Sequence, residues 1–237
     1  MASSFIAPIE TKTVFFAVMC LLMCVQVPVY CHFKVKGKGR AYTVSKCSGS
    51  LIFLLTALSS LIFAKTDTYS ILIIIAMALS LVGDYLLSRT AAHRLKAGGA
   101  AFAAAHICFT AAYIYAAGFK LIEVAVIAIL FGFELLGAKI FNLKNRGAGA
   151  GMAVYIISVT TMAVCAAFML FAPQLRVEMS EASKIMTAVG AALFLASDCF
   201  WMTYGMIFNN SKASLKIANA VTYFPAQLLI AGALLFR

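Results

Sequence analysis

Residues Ile185–Phe208 read IMTAVGAALFLASDCFWMTYGMIF, an apolar run of 24 residues with a single carboxylate, Asp198. A helix rises about 1.5 Å per residue, so the run is about 36 Å long and can cross a bilayer with some tilt. A charge at that depth costs at least about 2.5–3.5 kcal/mol, and acids held there face a bundle interior or a water-filled cavity. An earlier run, Tyr69–Ser88, carries Asp84 within LSLVGDYLLS. Two isolated aspartates inside apolar spans are what a functional reading has to explain.

The whole chain shares this character. It has 237 residues, 64% hydrophobic and 11% charged, with mean hydropathy +0.99. A soluble domain is about 25% charged, so an all-α, polytopic membrane helical bundle is expected. The net charge of +11 would suggest nucleic acid in a soluble protein. Here the basic residues fall in short connections, where they set topology and meet anionic headgroups, so no nucleic-acid partner is expected. The seven cysteines form no CxxC pair and read as reduced core residues. No cleavable signal peptide is expected, since Glu10 and Lys12 precede the first span and no A-x-A site follows.

Eight spans are expected: Val14–Tyr30, Cys47–Ala64, Tyr69–Ser88, Ala97–Phe119, Leu121–Phe141, Ala150–Ala172, Ile185–Phe208 and Ile217–Phe236. No linker separates two domains, so residues 1–237 read as one transmembrane domain. Lipid cannot satisfy backbone groups, which makes the spans helices. With an even number, both termini share a face, and that face carries Lys12, Lys65, Lys120, Arg176, Lys184 and Arg237. The other thirteen basic residues are Lys34, Lys36, Lys38, Arg40, Lys46, Arg89, Arg94, Lys96, Lys139, Lys144, Arg146, Lys212 and Lys216. The positive-inside rule places that second face, including the KVKGKGR loop, in the cytosol.

The polar residues inside the spans gather near the basic face. At 1.5 Å per residue, Asp84 lies ~6 Å deep and Tyr155 ~8 Å, with Tyr223 at ~9 Å and Glu134 at ~10 Å. His106 lies ~14 Å deep, with Asp198 and Gln227 at ~15 Å. Lys46 opens the second span at the surface. Asn219, Tyr223 and Gln227 recur at i, i+4, i+8 and make one polar stripe, as do Ser80, Asp84 and Ser88. Helix-packing glue competes with substrate contact as the reading of the Asn219 stripe, and a satisfied core histidine competes with a catalytic one for His106.

Four segments add up to a resemblance. LSLVGDYLL, GGAAFAAAHICF, VGAALFLASDCFW and VTYFPAQLLIAGAL resemble, in order, the signature segments of the YhhN family, the lysoplasmalogenases. Those segments read like FSxxGDxxL, GxxxFxxAHxxY, GAxxFxxSDxxLA and YYxAQxLI, and the likeness runs from about Lys46 to Leu235. The family's aspartates fall on Asp84 and Asp198, its histidine on His106, and its tyrosine–glutamine pair on Tyr223 and Gln227. Lys46 resembles the lysine of the family's KP element, with Cys47 in place of proline. Phe109 stands where tyrosine is common, Pro225 stands in the last segment where a small residue is usual, and Glu134 has no counterpart.

The resemblance implies hydrolysis of the vinyl ether of a lysoplasmalogen to a fatty aldehyde and a glycerophospho-base. It implies a lysophospholipid substrate, lysoplasmenylcholine or lysoplasmenylethanolamine, with membrane lipids as the other partners. No cofactor and no metal are expected. Two carboxylates in unlike environments divide acid and base roles. Asp198, estimated as deeper and more desolvated, is expected to deliver the proton, and Asp84 to offset the cation and orient water. His106 would bond one acid, Tyr223 and Gln227 would position water or a glycerol hydroxyl, and Lys46 would meet the phosphate. Tyr155 and Asn219 complete the supporting polar set. Alternatives are a proton-coupled transporter, which would show an inverted repeat, and a non-catalytic membrane protein of the same fold. A zinc hydrolase would need several histidines, and His32 and His93 read as loop residues. The expected location is the endoplasmic reticulum in a eukaryote or the plasma membrane in a bacterium, with oligomeric state left open.

Overall fold

The computed structural model describes residues 10–37, 39–89, 92–143 and 149–237. Eight α-helices follow one another: α1 (Thr11–Lys36), α2 (Arg40–Phe63), α3 (Thr68–Leu87), α4 (Ala92–Ala117), α5 (Leu121–Ile140), α6 (Ala150–Met169), α7 (Glu181–Met202) and α8 (Ala213–Ala233). A π-helical stretch, Thr203–Ile207, extends α7. Among the described residues there is no strand. Local chemistry sets several boundaries. The Asp67 side chain accepts the Ser70 amide at 2.9 Å to start α3, and Ser180 accepts the Ser183 amide at 3.1 Å to start α7. Gly118, at φ +76°, donates its amide to the Ile114 carbonyl and helps turn the chain in three residues from α4 toward α5.

Seven of the helices are long and apolar enough to span a bilayer. The eighth expected span, α8, is not among them, because Lys216, Asn219, Tyr223, Pro225 and Gln227 lower its hydropathy. It packs instead against α1, α2, α3 and α7, where neighbours rather than lipid meet those groups. The helices close a ring in the order α1, α2, α3, α4, α6, α7, α8, and α5 packs on the outside against α6. The outer surface is apolar: Ile62, Leu121 and Phe171 are each more than three-quarters exposed. A soluble protein hides such side chains, whereas lipid solvates them. This is a multi-pass helical membrane bundle.

The first two expected spans were too short at the basic end. The first helix runs on to Lys36 and the second begins at Arg40, so Lys34, Val35, Lys36 and Arg40 of the KVKGKGR stretch are helical. Lys34 and Lys46 are therefore buried helical residues, not surface charges. His32 and His93 also lie on helices, both exposed, rather than in loops. Of the cysteines, all free, only Cys165 is buried. Three residues of the charge count, Lys38, Lys144 and Arg146, lie outside the described residues. At the opposite end, Arg237 binds Asp67 through both guanidinium nitrogens and reaches Ser70 at 2.6 Å. Burial opposes ionisation of Asp67, but the Arg237 and Ser70 hydrogen bonds outweigh it and lower its pKa.

Candidate active site

The polar residues of the interior form two linked clusters. The first surrounds Asp84 on α3, which has no exposed surface. The Lys46 ammonium of α2 lies 2.8 Å from Asp84 Oδ1. Ser50 Oγ, one turn further along α2, donates to Oδ2 at 2.5 Å, and the Tyr223 hydroxyl of α8 donates to the same oxygen at 2.6 Å. One cation and two neutral donors thus meet a single carboxylate.

The second cluster surrounds Asp198 on α7. Here the Tyr155 hydroxyl of α6 donates to Oδ2 at 2.9 Å. His106 Nε2 stands 3.8 Å from the same oxygen, beyond hydrogen-bonding distance, while its Nδ1 lies 3.2 Å from Ser158 Oγ. Among the described residues no lysine or arginine pairs with Asp198.

Aromatic rings bridge the two clusters. Phe194 meets Tyr223 at 5.4 Å and His106 at 5.1 Å between centroids, both edge-on. Phe102 lies 6.0 Å from Tyr223. Its place depends on the residue preceding Asp84, since a Cβ on Gly83 would sit 2.6 Å from the Phe102 ring. Gly83 lets α4 lay that ring against α3. The Tyr155 ring is flanked by His106 at 5.2 Å and Trp201 at 6.2 Å. These apolar walls keep the dielectric low around both acids.

The structure brings Asp84, Lys46 and Tyr223 together in one cluster and Asp198, His106 and Tyr155 in the other. Gln227, fully buried one turn deeper on α8, lies beside Tyr223 without a well-formed hydrogen bond of its own. Asn219 stands apart from both acids: its amide nitrogen donates to Ser197 O and Oγ, each at 2.8 Å. The depth estimate had Asp198 as the more desolvated acid, yet Asp198 retains 7% exposure where Asp84 has none. Counting residues from a helix end missed the cover that Lys46 and Tyr223 give Asp84. Glu134 belongs to neither cluster, because α5 sits outside the ring; Thr160 on α6 donates to it at 2.7 Å.

Ser50 and Ser158 were not anticipated as site residues. Both had a sequence signal, since Ser50 follows Lys46 by four residues and Ser158 follows Tyr155 by three, which puts each pair on one helix face. Among the described residues no group of three or more His, Cys, Asp or Glu side chains forms a metal-ligand cluster.

The sequence model of the YhhN family matches residues 41–234, a stretch that contains every residue of both clusters. Neither a curated protein nor a solved structure matches the chain. The family match takes in most of the chain and every residue of the two clusters, and on that ground the protein belongs to the YhhN family.

Proposed function

We propose that this protein hydrolyses the vinyl ether bond of lysoplasmalogens. The family is associated with lysoplasmalogenase activity. The observation that carries the reading is the unlike pairing of the two acids: Asp84 has a lysine at 2.8 Å, and among the described residues Asp198 has a neutral tyrosine donor and no lysine or arginine partner.

An enol ether resists base and is opened by protonation at its β-carbon. The carboxyl of Asp198, with no lysine or arginine paired to it among the described residues, is the group suited to deliver that proton. Protonation leaves an oxocarbenium ion on the ether carbon and oxygen. The Asp84 carboxylate supplies the opposite charge and accepts a proton from the attacking water, whose oxygen bonds to the cationic carbon. Collapse of the hemiacetal breaks the carbon–oxygen bond to glycerol, returns a proton to the glycerol oxygen and releases the fatty aldehyde. Tyr223 and Ser50 hold Asp84 in place, and Tyr155 holds Asp198.

The substrate in this reading is a single-chain phospholipid. Its vinyl ether begins just beneath the glycerol, within about 5–15 Å of the surface, comparable with the depths of the two acids. The basic end of the bundle is assigned to the cytosol, so the lipid would enter from that leaflet. The direct test is aldehyde release from lysoplasmenylcholine by the purified protein in nanodiscs. Absence of aldehyde from wild-type protein, with the family's other lysoplasmenyl headgroup also inert, sinks the hydrolase.

A further inference from the structure

Lys34 is a buried cation that the proposed reaction leaves unused. It occupies the last turn of α1 and is 6% exposed. Its Nζ donates to Asn219 Oδ1 and lies 5.3 Å from the Tyr30 ring centroid and 5.1 Å from that of Tyr204. Among the described residues no carboxylate pairs with it: the nearby acid, Asp84, is held by Lys46, and the other cations acting on Lys34 are Lys46 and Lys216.

An amide oxygen and two ring faces offer Lys34 partial negative charge but no net charge. A buried charge without a counter-charge is unfavourable, so the place is complementary to an anion. An ammonium has three N–H donors, and the Asn219 bond uses one. The surroundings tie Lys34 to the second cluster. Asn219 is fixed by Ser197, which directly precedes Asp198, and Tyr204 belongs to the π-helical stretch that continues the Asp198 helix. Such stretches are frequent at functional sites. Lys34 also precedes the stretch matched by the family, so membership does not account for it.

We propose that Lys34 binds the phosphate of a single-chain phospholipid at the basic end of the bundle. Asn219 holds the ammonium in place, and phosphate oxygens accept its remaining protons. The assignment of this lipid as a substrate rests on the hydrolase reading; the anion site does not. Lys46 was the residue first expected to meet the phosphate, and its pairing with Asp84 leaves that task to Lys34.

The test measures binding of ester-linked lysophosphatidylcholine, which has no vinyl ether, to the full-length protein in detergent. Monoacylglycerol of the same chain length and inorganic phosphate are the comparison ligands. Wild type is expected to bind the phospholipid more tightly than the monoacylglycerol. Lys34→Met should lower phospholipid affinity by about tenfold or more, the loss expected for a charge-assisted hydrogen bond, and leave the monoacylglycerol unchanged. Lys34→Arg should keep most of the affinity, and Lys36→Gln, on the exposed side of the same turn, all of it. Unchanged phospholipid binding by Lys34→Met, or an equal loss of both lipids, overturns the proposal. Binding of inorganic phosphate without the phospholipid overturns its lipid half. If Lys34→Met does not accumulate as folded protein, the wild-type comparison decides, and equal affinity for the two lipids overturns the site. Because the probe is not hydrolysed, failure of wild type to release aldehyde from a vinyl ether would sink the hydrolase alone.

Discussion

The Lys46 ammonium and Asp84 Oδ1 stand 2.8 Å apart, and both residues are buried. The other carboxylate oxygen receives two hydroxyls, so both oxygens of Asp84 are engaged. Burial of this kind makes each partner depend on the other. Attraction in a low-dielectric interior offsets desolvation only while both charges are present.

Asp84→Asn should therefore do more than stop chemistry. It leaves Lys46 buried without its counter-charge, and a loss of about 3–5 kcal/mol of stability is expected. Adding Lys46→Met should restore most of that stability without restoring aldehyde release. Unfolding of the wild type, both single variants and the double variant in one detergent supplies the cycle. A double variant no more stable than Asp84→Asn alone would remove the ion pair from the account of this site.

Asp198 should behave differently, since its bonded partner is the neutral Tyr155. Asp198→Asn is expected to lower aldehyde release by at least about 10²-fold, the usual scale of general-acid assistance, with stability little changed. Tyr155→Phe should give a smaller loss. Glu134→Gln serves as the control and should stay active, because Glu134 bonds Thr160 on the outer side of the ring. Retention of more than about a tenth of wild-type activity by Asp198→Asn would take that residue out of the acid role.

How much of this could be read from the residues follows from their physics. Membrane helices were legible because apolar runs of this length have one stable form in lipid. That Asp84, Asp198, His106 and Tyr223 lie inside apolar spans was legible too, since a polar residue there stands out singly. Partner choice was not. The spacing of Asp84 along α3 says nothing of Lys46, which reaches it from another helix and was placed at the surface because hydropathy bounded the expected spans at Tyr30 and Cys47. Lys34 was lost for the same reason: a lysine looks like a loop residue until the fold lays Asn219, Tyr30 and Tyr204 around it. The outside position of α5 also has no local signature, so Glu134 could not be separated from the two acids by depth alone.

Gly83 offers a test that touches no polar group. A Cβ there would lie 2.6 Å from the Phe102 ring, closer than packed atoms allow, so Phe102 must shift in Gly83→Ala. Overpacking of this kind costs about 1–3 kcal/mol. Phe102 lies against Tyr223, which holds Asp84, so activity should fall together with stability. Pairing Gly83→Ala with Phe102→Leu should recover part of both. Wild-type behaviour of Gly83→Ala would show that the ring has room to move.

Removal of metal should leave activity intact. His106 faces Ser158 and the Tyr155, Phe102 and Phe194 rings, while His32 and His93 are exposed on α1 and α4. Zinc hydrolases hold their metal with three protein ligands and an open position. The check is aldehyde release after exhaustive dialysis against EDTA and then phenanthroline. Loss of activity that added zinc restores would move the protein into the metallohydrolase class.

Sidedness is the last test. Asp84 is bonded by Lys46 near the start of α2, and Lys34 sits in the last turn of α1, so the polar interior lies toward the end of the bundle where α1 ends and α2 begins. The sequence count expects thirteen of the nineteen basic residues at that end, and by the positive-inside rule that end is predicted to face the cytosol. Single cysteines at exposed positions report on it: Lys36→Cys and Ser211→Cys at the basic end, Thr66→Cys and Gln174→Cys at the other. In sealed, cytosol-side-out vesicles, an impermeant maleimide should label the first pair directly and the second only after permeabilisation. The same vesicles should hydrolyse lysoplasmenylcholine added from outside without a lag. The reverse labelling pattern would invert the bundle and move lipid access to the opposite leaflet, while leaving the Lys46–Asp84 and Tyr155–Asp198 contacts, and the chemistry argued from them, where they are.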